Sequence, residues 1–186
     1  MFLNDLEIRK LALYHNMIFP FKDYGKNSTE KPSSGLSCCG YDMTLGNEFS
    51  CLKPDFKGPI DPRNPPDKSC YDFFQVDDNN SFRLEPGQFV LACTKEYVKV
   101  PDTTVSFLMD KSTLARFGVF LFNTIFEPGW EGIPTVEVVN FNKVPILLHP
   151  GMGICQFIFA IVNKPTKDYL EKSGKYQGQI GVTVAR

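Results

Sequence analysis

Apolar and polar positions along this chain repeat with two periods, and the change from one to the other marks out the elements. Near the start, Ile8, Leu11 and Ala12 share one face of a 3.6-residue repeat. Asn4 precedes them with Glu7 three residues on, a relative of the capping box, and Leu3 and Ile8 stand where a hydrophobic staple would place them. The pattern predicts a short helix over residues 5–15. Residues 17–21 read as a strand, and residues 22–39, with their Lys, Asn, Ser, Pro and Gly, as a loop. Tyr41, Met43 and Leu45 then alternate with Asp42 and Thr44 in a strand closed by Gly46. Residues 52–70 hold five prolines and little periodicity, which predicts a long surface excursion, either functional or simply variable.

From residue 82 the strand signals crowd together. Residues 82–84 end at the turn Pro86-Gly87, residues 89–94 are nearly all apolar, and Tyr97, Val98 and Val100 stop at Pro101. Further apolar runs cover 105–109, 119–126, 144–148 and 154–162, and Glu137 stands among valines in another. Short strands about ten residues apart, with Pro and Gly between them and no alternating βαβ pattern, predict a mainly β fold, a barrel or sandwich. The last stretch, from Ser173 to Arg186, is glycine-rich and aperiodic, which predicts a tail that is mobile when nothing is bound.

Composition narrows the function classes. At 186 residues a single domain is the default, and the chain can bury a full core. Lys and Arg number 20 against 21 Asp and Glu, so no sequence-independent attraction to nucleic acid is expected. No apolar run is long enough to span a membrane. Cys38, Cys39, Cys51, Cys70, Cys93 and Cys155 lie in a chain without a signal peptide, two of them in apolar runs; they read as reduced thiols of a cytoplasmic protein. With His15 and His149 the only histidines, and no H-x-E followed by P-C-x-x-C, a zinc site is not expected.

The chemistry concentrates between residues 110 and 137. Lys111-Ser112-Thr113 is a cationic, hydroxyl-bearing turn suited to phosphate, and Arg116 follows in a short helical run. Glu127-Pro128-Gly129-Trp130-Glu131-Gly132 is a tight turn between strands, and Glu137 is an acid that burial could turn into a base. Taken singly, each has a plainer reading. Ser112 and Thr113 cap the helix at Leu114, Arg116 is a surface ion pair, and Glu137 is a solvent-facing acid on an alternating strand. Together they point to an enzyme acting on a nucleotide.

Eight segments, in shared order, carry a family resemblance. LNDLEIRKL resembles a first helix, GYDMTLG a S-Y-D-x-x-L-G strand, and LEPGQFVLACTKEYVKVP a segment ending in L-P. KSTLARFG resembles R-S-S-x-A-R-x-G, EPGWEG resembles D-P-G-W-x-G, and TVEVVN an L-E-x-x-N strand. LHPGMGICQFIF resembles a P-G-M-x-I-G-Q strand, and GKYQGQIG a K-Y-Q-G-Q-x-G tail. Nearly end to end, the chain resembles the dCTP deaminase branch of the trimeric dUTPase superfamily. The resemblance implies a distorted jelly-roll subunit, a homotrimer with sites at subunit boundaries, and removal of the C4 amine of dCTP without a metal in the chemical step. Magnesium (Mg2+) would arrive on the triphosphate.

By the same resemblance Glu137 is the general base, Ser112 holds the water or the α-phosphate side, and Arg116 gives fixed charge near the ring. Lys111 and Thr113 would contact phosphate, and Glu127 the sugar 3′-hydroxyl. Lys175, Tyr176 and Gln179, within a lid over residues 173–186, would cover the phosphates. The plain dUTPases tend to have an apolar residue where this chain has Glu137. The chain departs from the family pattern in Lys111 for Arg, Glu127 for Asp, and Cys155 and Ile180 for the common residues. Phe122-Asn123-Thr124-Ile125-Phe126 also lacks the His-Arg pair of the monofunctional bacterial enzymes. The reading is deamination of dCTP to dUTP and ammonia. The alternatives are a bifunctional enzyme releasing dUMP and pyrophosphate, a dUTPase, and a nucleotide-binding regulator.

Overall fold

A computed structural model describes residues 1–23 and 32–186. Residues 24–31 of the loop expected over 22–39 therefore lie outside the described residues, and within the rest Gly35–Ser37 forms a strand paired with the start of the next, which corrects that expectation. In chain order the elements are α1 (Asp5–His15), β1 (Ile18–Phe19), β2 (Gly35–Ser37), β3 (Gly40–Leu52), β4 (Tyr71–Gln75), β5 (Phe82–Leu84), β6 (Phe89–Thr94), β7 (Tyr97–Lys99) and β8 (Thr104–Asp110). There follow α2 (Ser112–Arg116), β9 (Val119–Leu121), β10 (Ile125–Phe126), β11 (Glu131–Gly132), β12 (Thr135–Asn140), β13 (Ile146–Leu148) and β14 (Gly153–Ile161).

Helix α1 begins where its sequence says. Asn4 accepts from the Glu7 amide at 3.0 Å, and Glu7 accepts from the Asn4 amide at 2.9 Å, closing a full capping box. Asn16, at φ 53°, ends the helix in the left-handed region that Asn tolerates. Ile8 and Ala12 are its buried face.

A nine-stranded sheet organises the rest, curling through the order β10-β8-β14-β3-β6-β12-β9, with β2 and β4 paired to opposite ends of β3. Strand β3 makes the curl possible. Its first half pairs with β14, its second with β6, and the register shifts between Leu45 and Phe49. The strand expected to close at Gly46 runs on for six more residues, to Leu52. Gly46 is a point of close approach: a Cβ there would lie 2.8 Å from Cys93 Sγ and 2.9 Å from Cys93 O.

Two other expectations are corrected. The strand over 17–21 shortens to Ile18–Phe19, because Pro20 has no amide to extend the ladder. The run over 119–126 divides: β9 pairs with β12 while β10 pairs with β8, so residues 122–124 cross between neighbouring parts of the sheet.

The core lies inside the curl. Tyr41, Met43, Leu45, Phe49, Phe157 and Phe159 are fully buried. Phe126 meets Trp130 edge-on at 4.5 Å between ring centroids and Phe157 at 4.9 Å, which locks the EPGWEG turn to β14. Other phenylalanines face outward. Phe89, Phe120, Phe122 and Phe141 are each at least 45% exposed and meet as two ring pairs, 6.1 Å and 5.7 Å between centroids.

Candidate active site

Alternation on β12 decides where Glu137 points. Val136 and Val138 are completely buried in the core, so Glu137 faces the other side of the sheet, opposite Leu91 on β6. There it lines a cavity of about 400 Å³ with Phe89, Leu91, Thr124, Glu127, Tyr176 and Gln179. Burial pushes its carboxyl above the ordinary range, only partly offset by a backbone amide. Among the described residues no cation pairs with it. A half-buried, unpaired acid beside apolar walls is a carboxylate whose affinity for protons has been raised.

The EPGWEG turn and the tail form the cavity's other walls. Gly129, at φ 81°, lets the turn approach Asp168, whose carboxyl would lie 2.6 Å from any Cβ there. Trp130, nearly buried, donates Nε1–H to the Tyr176 carbonyl at 3.1 Å. Gln179 is buried. Its side-chain Nε2 donates to the Ile133 carbonyl at 2.9 Å, and its own carbonyl accepts from Ile133 N at 2.9 Å. Glu127 stays exposed at the rim. Lys175 is exposed and sits 6.0 Å from the Tyr176 ring centroid.

The tail has apolar partners that its sequence does not announce. Val182 is buried against Leu91 and Cys93, with Ile133 and Val184 beside it. Glu48 on β3 accepts from Val182 N at 3.3 Å, and Thr135 Oγ1 accepts from Thr183 N at 3.1 Å. The signal was Val182 and Val184 alternating with Thr183 after a run of polar residues and glycines, too short for a periodicity argument.

Lys111, Ser112 and Thr113 lie elsewhere. They line a second cavity of about 290 Å³ with Ser33, Asp42, Asp110 and Gln156, and no residue lines both cavities. The capping reading of Ser112 and Thr113 is corrected. Lys111 occupies the N-cap position with no side-chain cap bond, and the two residues are instead the first of α2, their side chains exposed. Neither hydroxyl is hydrogen-bonded among the described residues, so both remain available to a ligand. Arg116, also exposed, donates Nη1–H to the Ser112 carbonyl at 3.0 Å, bracing the turn that presents Ser112.

Around Lys111 the structure supplies partners the sequence reading did not single out. Lys111 Nζ is 2.7 Å from Asp42 Oδ2, with both side chains about nine-tenths buried. Ser33 donates to Asp42 at 3.0 Å, and Gln156 Nε2 donates to Asp42 at 3.2 Å and to Ser37 Oγ at 3.1 Å. Asp110 Oδ1 accepts from Leu121 N at 2.8 Å and so fixes the end of β9. Asp42 and Gln156 belong to the GYDMTLG and PGMGICQ segments, where they could have been picked out as the polar residues on otherwise apolar strands. Among the described residues no three acids, histidines or cysteines converge as a metal-holding group.

Comparison with known proteins meets this geometry. Residues 3–162 match the dCTP deaminase-like family. A dCTP deaminase of Albidiferax ferrireducens is 35% identical over 188 residues, covering 98% of this chain and 97% of that protein. One from Herpetosiphon aurantiacus is 38% identical over 183 residues, with the same shares covered. Among solved structures, a 2'-deoxycytidine 5'-triphosphate deaminase of Agrobacterium tumefaciens superposes with a TM-score of 0.64 at 16% identity, over 86% of this chain. This chain spans about half the length of that one, with 47% covered, and the likeness speaks for the fold. By its full-length relatives and by the match across most of its length, this chain belongs to the dCTP deaminase-like family.

Proposed function

We propose that the protein hydrolyses dCTP to dUTP and ammonia. The observation that carries this reading is Glu137: an unpaired acid on an apolar strand, its proton affinity raised by burial, lining a cavity large enough for a nucleoside. Glu137 takes a proton from water as the oxygen attacks C4, and returns it to the ring nitrogen. A second transfer protonates the amine, the C4–N bond breaks, and ammonia leaves. A positioned base of this kind typically contributes about 10²–10⁴-fold. Ser112 orients the water or the α-phosphate side, and Arg116 supplies charge near the ring. Lys111 and Thr113 receive the phosphates, with Lys111 exchanging Asp42 for a phosphate oxygen. Glu127 meets the sugar hydroxyl.

Magnesium enters with the triphosphate as part of the substrate, since hard cations favour phosphate oxygens.

The site is completed between subunits of a homotrimer. The separation of the two cavities supports this, as does the phenylalanine patch on the same face as Glu137. The whole chain is one domain whose tail, residues 173–186, closes over bound nucleotide and brings Lys175, Tyr176 and Gln179 toward the phosphates. The exposed thiols suit the reducing cytoplasm. The test is incubation of the purified protein with dCTP and magnesium, with chromatography resolving dUTP from dUMP. Formation of dUTP with equimolar ammonia is expected. Unchanged dCTP refutes the reading, and dUMP with pyrophosphate makes the enzyme bifunctional.

A further inference from the structure

Strands β2 and β3 pair Ser37 with Gly40, leaving Cys38 and Cys39 as the two-residue tip of a hairpin. Both are exposed free thiols. The other cysteines differ in kind. Cys93 and Cys155 are buried, and burial pushes the first thiol up to about 11 and the second well above its usual value. Cys51 lies on β3 opposite Asp72 and Cys70 ends the short turn before β4; both are half-buried, and burial raises the Cys51 thiol. Thiol reactivity follows access and thiolate character, so the hairpin tip is the reactive pair. Consecutive Cα atoms are about 3.8 Å apart, which lets both sulfurs reach one bridging atom.

The tip is also wired to the second cavity. Ser37, adjacent to Cys38, accepts from Gln156 Nε2 at 3.1 Å; the same nitrogen donates to Asp42 Oδ1 at 3.2 Å; Asp42 Oδ2 holds Lys111 at 2.7 Å. Gly40, just after the tip, admits no Cβ, because one would stand 2.7 Å from Phe157 O and 3.2 Å from Gln156 Cγ. On its other side the tip is tied to α1, Cys38 O accepting from Asp5 N at 3.0 Å. The turn is held at both shoulders, so a group that draws the two sulfurs together pulls on Ser37 and through it on Gln156.

We propose that Cys38 and Cys39 form a vicinal dithiol site for a thiophile that bridges two sulfurs, and that filling it displaces Gln156 and loosens Asp42 from Lys111. With a trivalent arsenical the step balances without redox change. Two As–S bonds form, the As=O bond breaks, both thiol protons leave with that oxygen as water, and arsenic stays trivalent. The coupling to Lys111 rests on the proposed dCTP reading; the dithiol site does not.

The probe is phenylarsine oxide on the full chain, read by intact mass. One phenylarsenic adduct is expected, removed by a small dithiol and not by a monothiol, and absent from Cys38→Ser, Cys39→Ser and the double variant. No adduct, or one that persists in the double variant, overturns the site. With dCTP, the adduct is expected to lower KM with little change in kcat, because Lys111 no longer has to give up Asp42 to take a phosphate oxygen, and the reagent is expected to leave KM of the double variant unchanged. An adduct that leaves KM unchanged overturns the coupling while the site stands. Absence of any dCTP turnover in untreated protein removes the functional reading, and the mass result still decides the dithiol.

Discussion

At the residue scale, two acids raised by burial make opposite demands. Glu137 lines a cavity and, as the proposed base, must be deprotonated to act. Its Gln variant keeps the shape and removes the base. It should fold normally and turn over dCTP at least about 10²-fold more slowly. Because burial raises the Glu137 carboxyl, the acidic limb of kcat/KM should lie above the ordinary glutamate value of about 4.3. A limb at the ordinary value, or wild-type turnover by Glu137→Gln, removes this residue from the chemistry. Glu96 lies elsewhere, 3% exposed, accepting from Thr44 N at 2.9 Å and from Thr44 Oγ1. Its carboxyl is also raised, chiefly by burial and against the pull of the Thr44 bonds. A raised folded-state value means the acid favours folding in its protonated form, fully so below the unfolded value. That contribution is lost as pH climbs through the folded value. Melting curves should therefore show the wild type losing ground to Glu96→Gln as pH rises through that window, and keeping pace with it below.

At the element scale, the tail is both a wall of the Glu137 cavity and a strap whose buried apolar anchor is Val182. Val182 fills a socket of Leu91 and Cys93, and burying a valine is worth about 1.5–3 kcal/mol. Val182→Asp should lower the melting temperature by a few degrees, in line with roughly 2–4 °C per kcal/mol for a domain of this size. It should also lower kcat/KM for dCTP and expose the tail to protease even with nucleotide present. If activity and protease resistance survive the substitution, the strap is not held at Val182. Removing residues 174–186 should be costlier to stability than a loose tail would suggest, since Leu91 and Cys93 lose their cover.

At the scale of the whole molecule, the chemistry is divided. Glu137 and the hydroxyls of α2 open on different cavities of one chain, and Phe89, Phe120 and Phe122 are bare beside the first. An apolar patch of that kind marks a contact surface. Light scattering should give three times the chain mass of 21.1 kDa. Glu137→Gln and Ser112→Ala subunits, each inactive alone, should recover activity when unfolded and refolded as a mixture, because some sites then receive both intact residues. Absence of recovery in a mixture that does form hybrid trimers puts Glu137 and Ser112 in the same subunit's site.

Legibility in the sequence followed the range of the interaction. The Asn4–Glu7 box is three residues long and could be read directly, as could the burial of Val136 and Val138 around Glu137. Ser112 and Thr113 looked like caps because local chemistry favours that, yet the chain enters α2 one residue earlier, at Lys111. Asp42 holding Lys111 joins residues 69 apart in sequence, and Gln156 holding Asp42 spans 114, distances over which periodicity carries no information. Gly46 reads locally as a strand end because glycine punctuates strands. What it answers to is the Cys93 backbone, which lies on another strand.

Strand β3 places Asp42 near one end, against Lys111, and Glu48 near the other, under the tail. In terms of evolutionary tolerance, the chain cannot drift evenly. The neighbouring excursion over 52–70 can lengthen or shorten freely at Gly58, which stands in open space. A single residue gained or lost between Asp42 and Glu48 would turn one of them to the opposite face of the sheet. The seven residues from one to the other act as a ruler, setting Lys111 and the strap at a fixed phase to each other, so descendants of this sequence should vary in what those positions hold and not in how many there are.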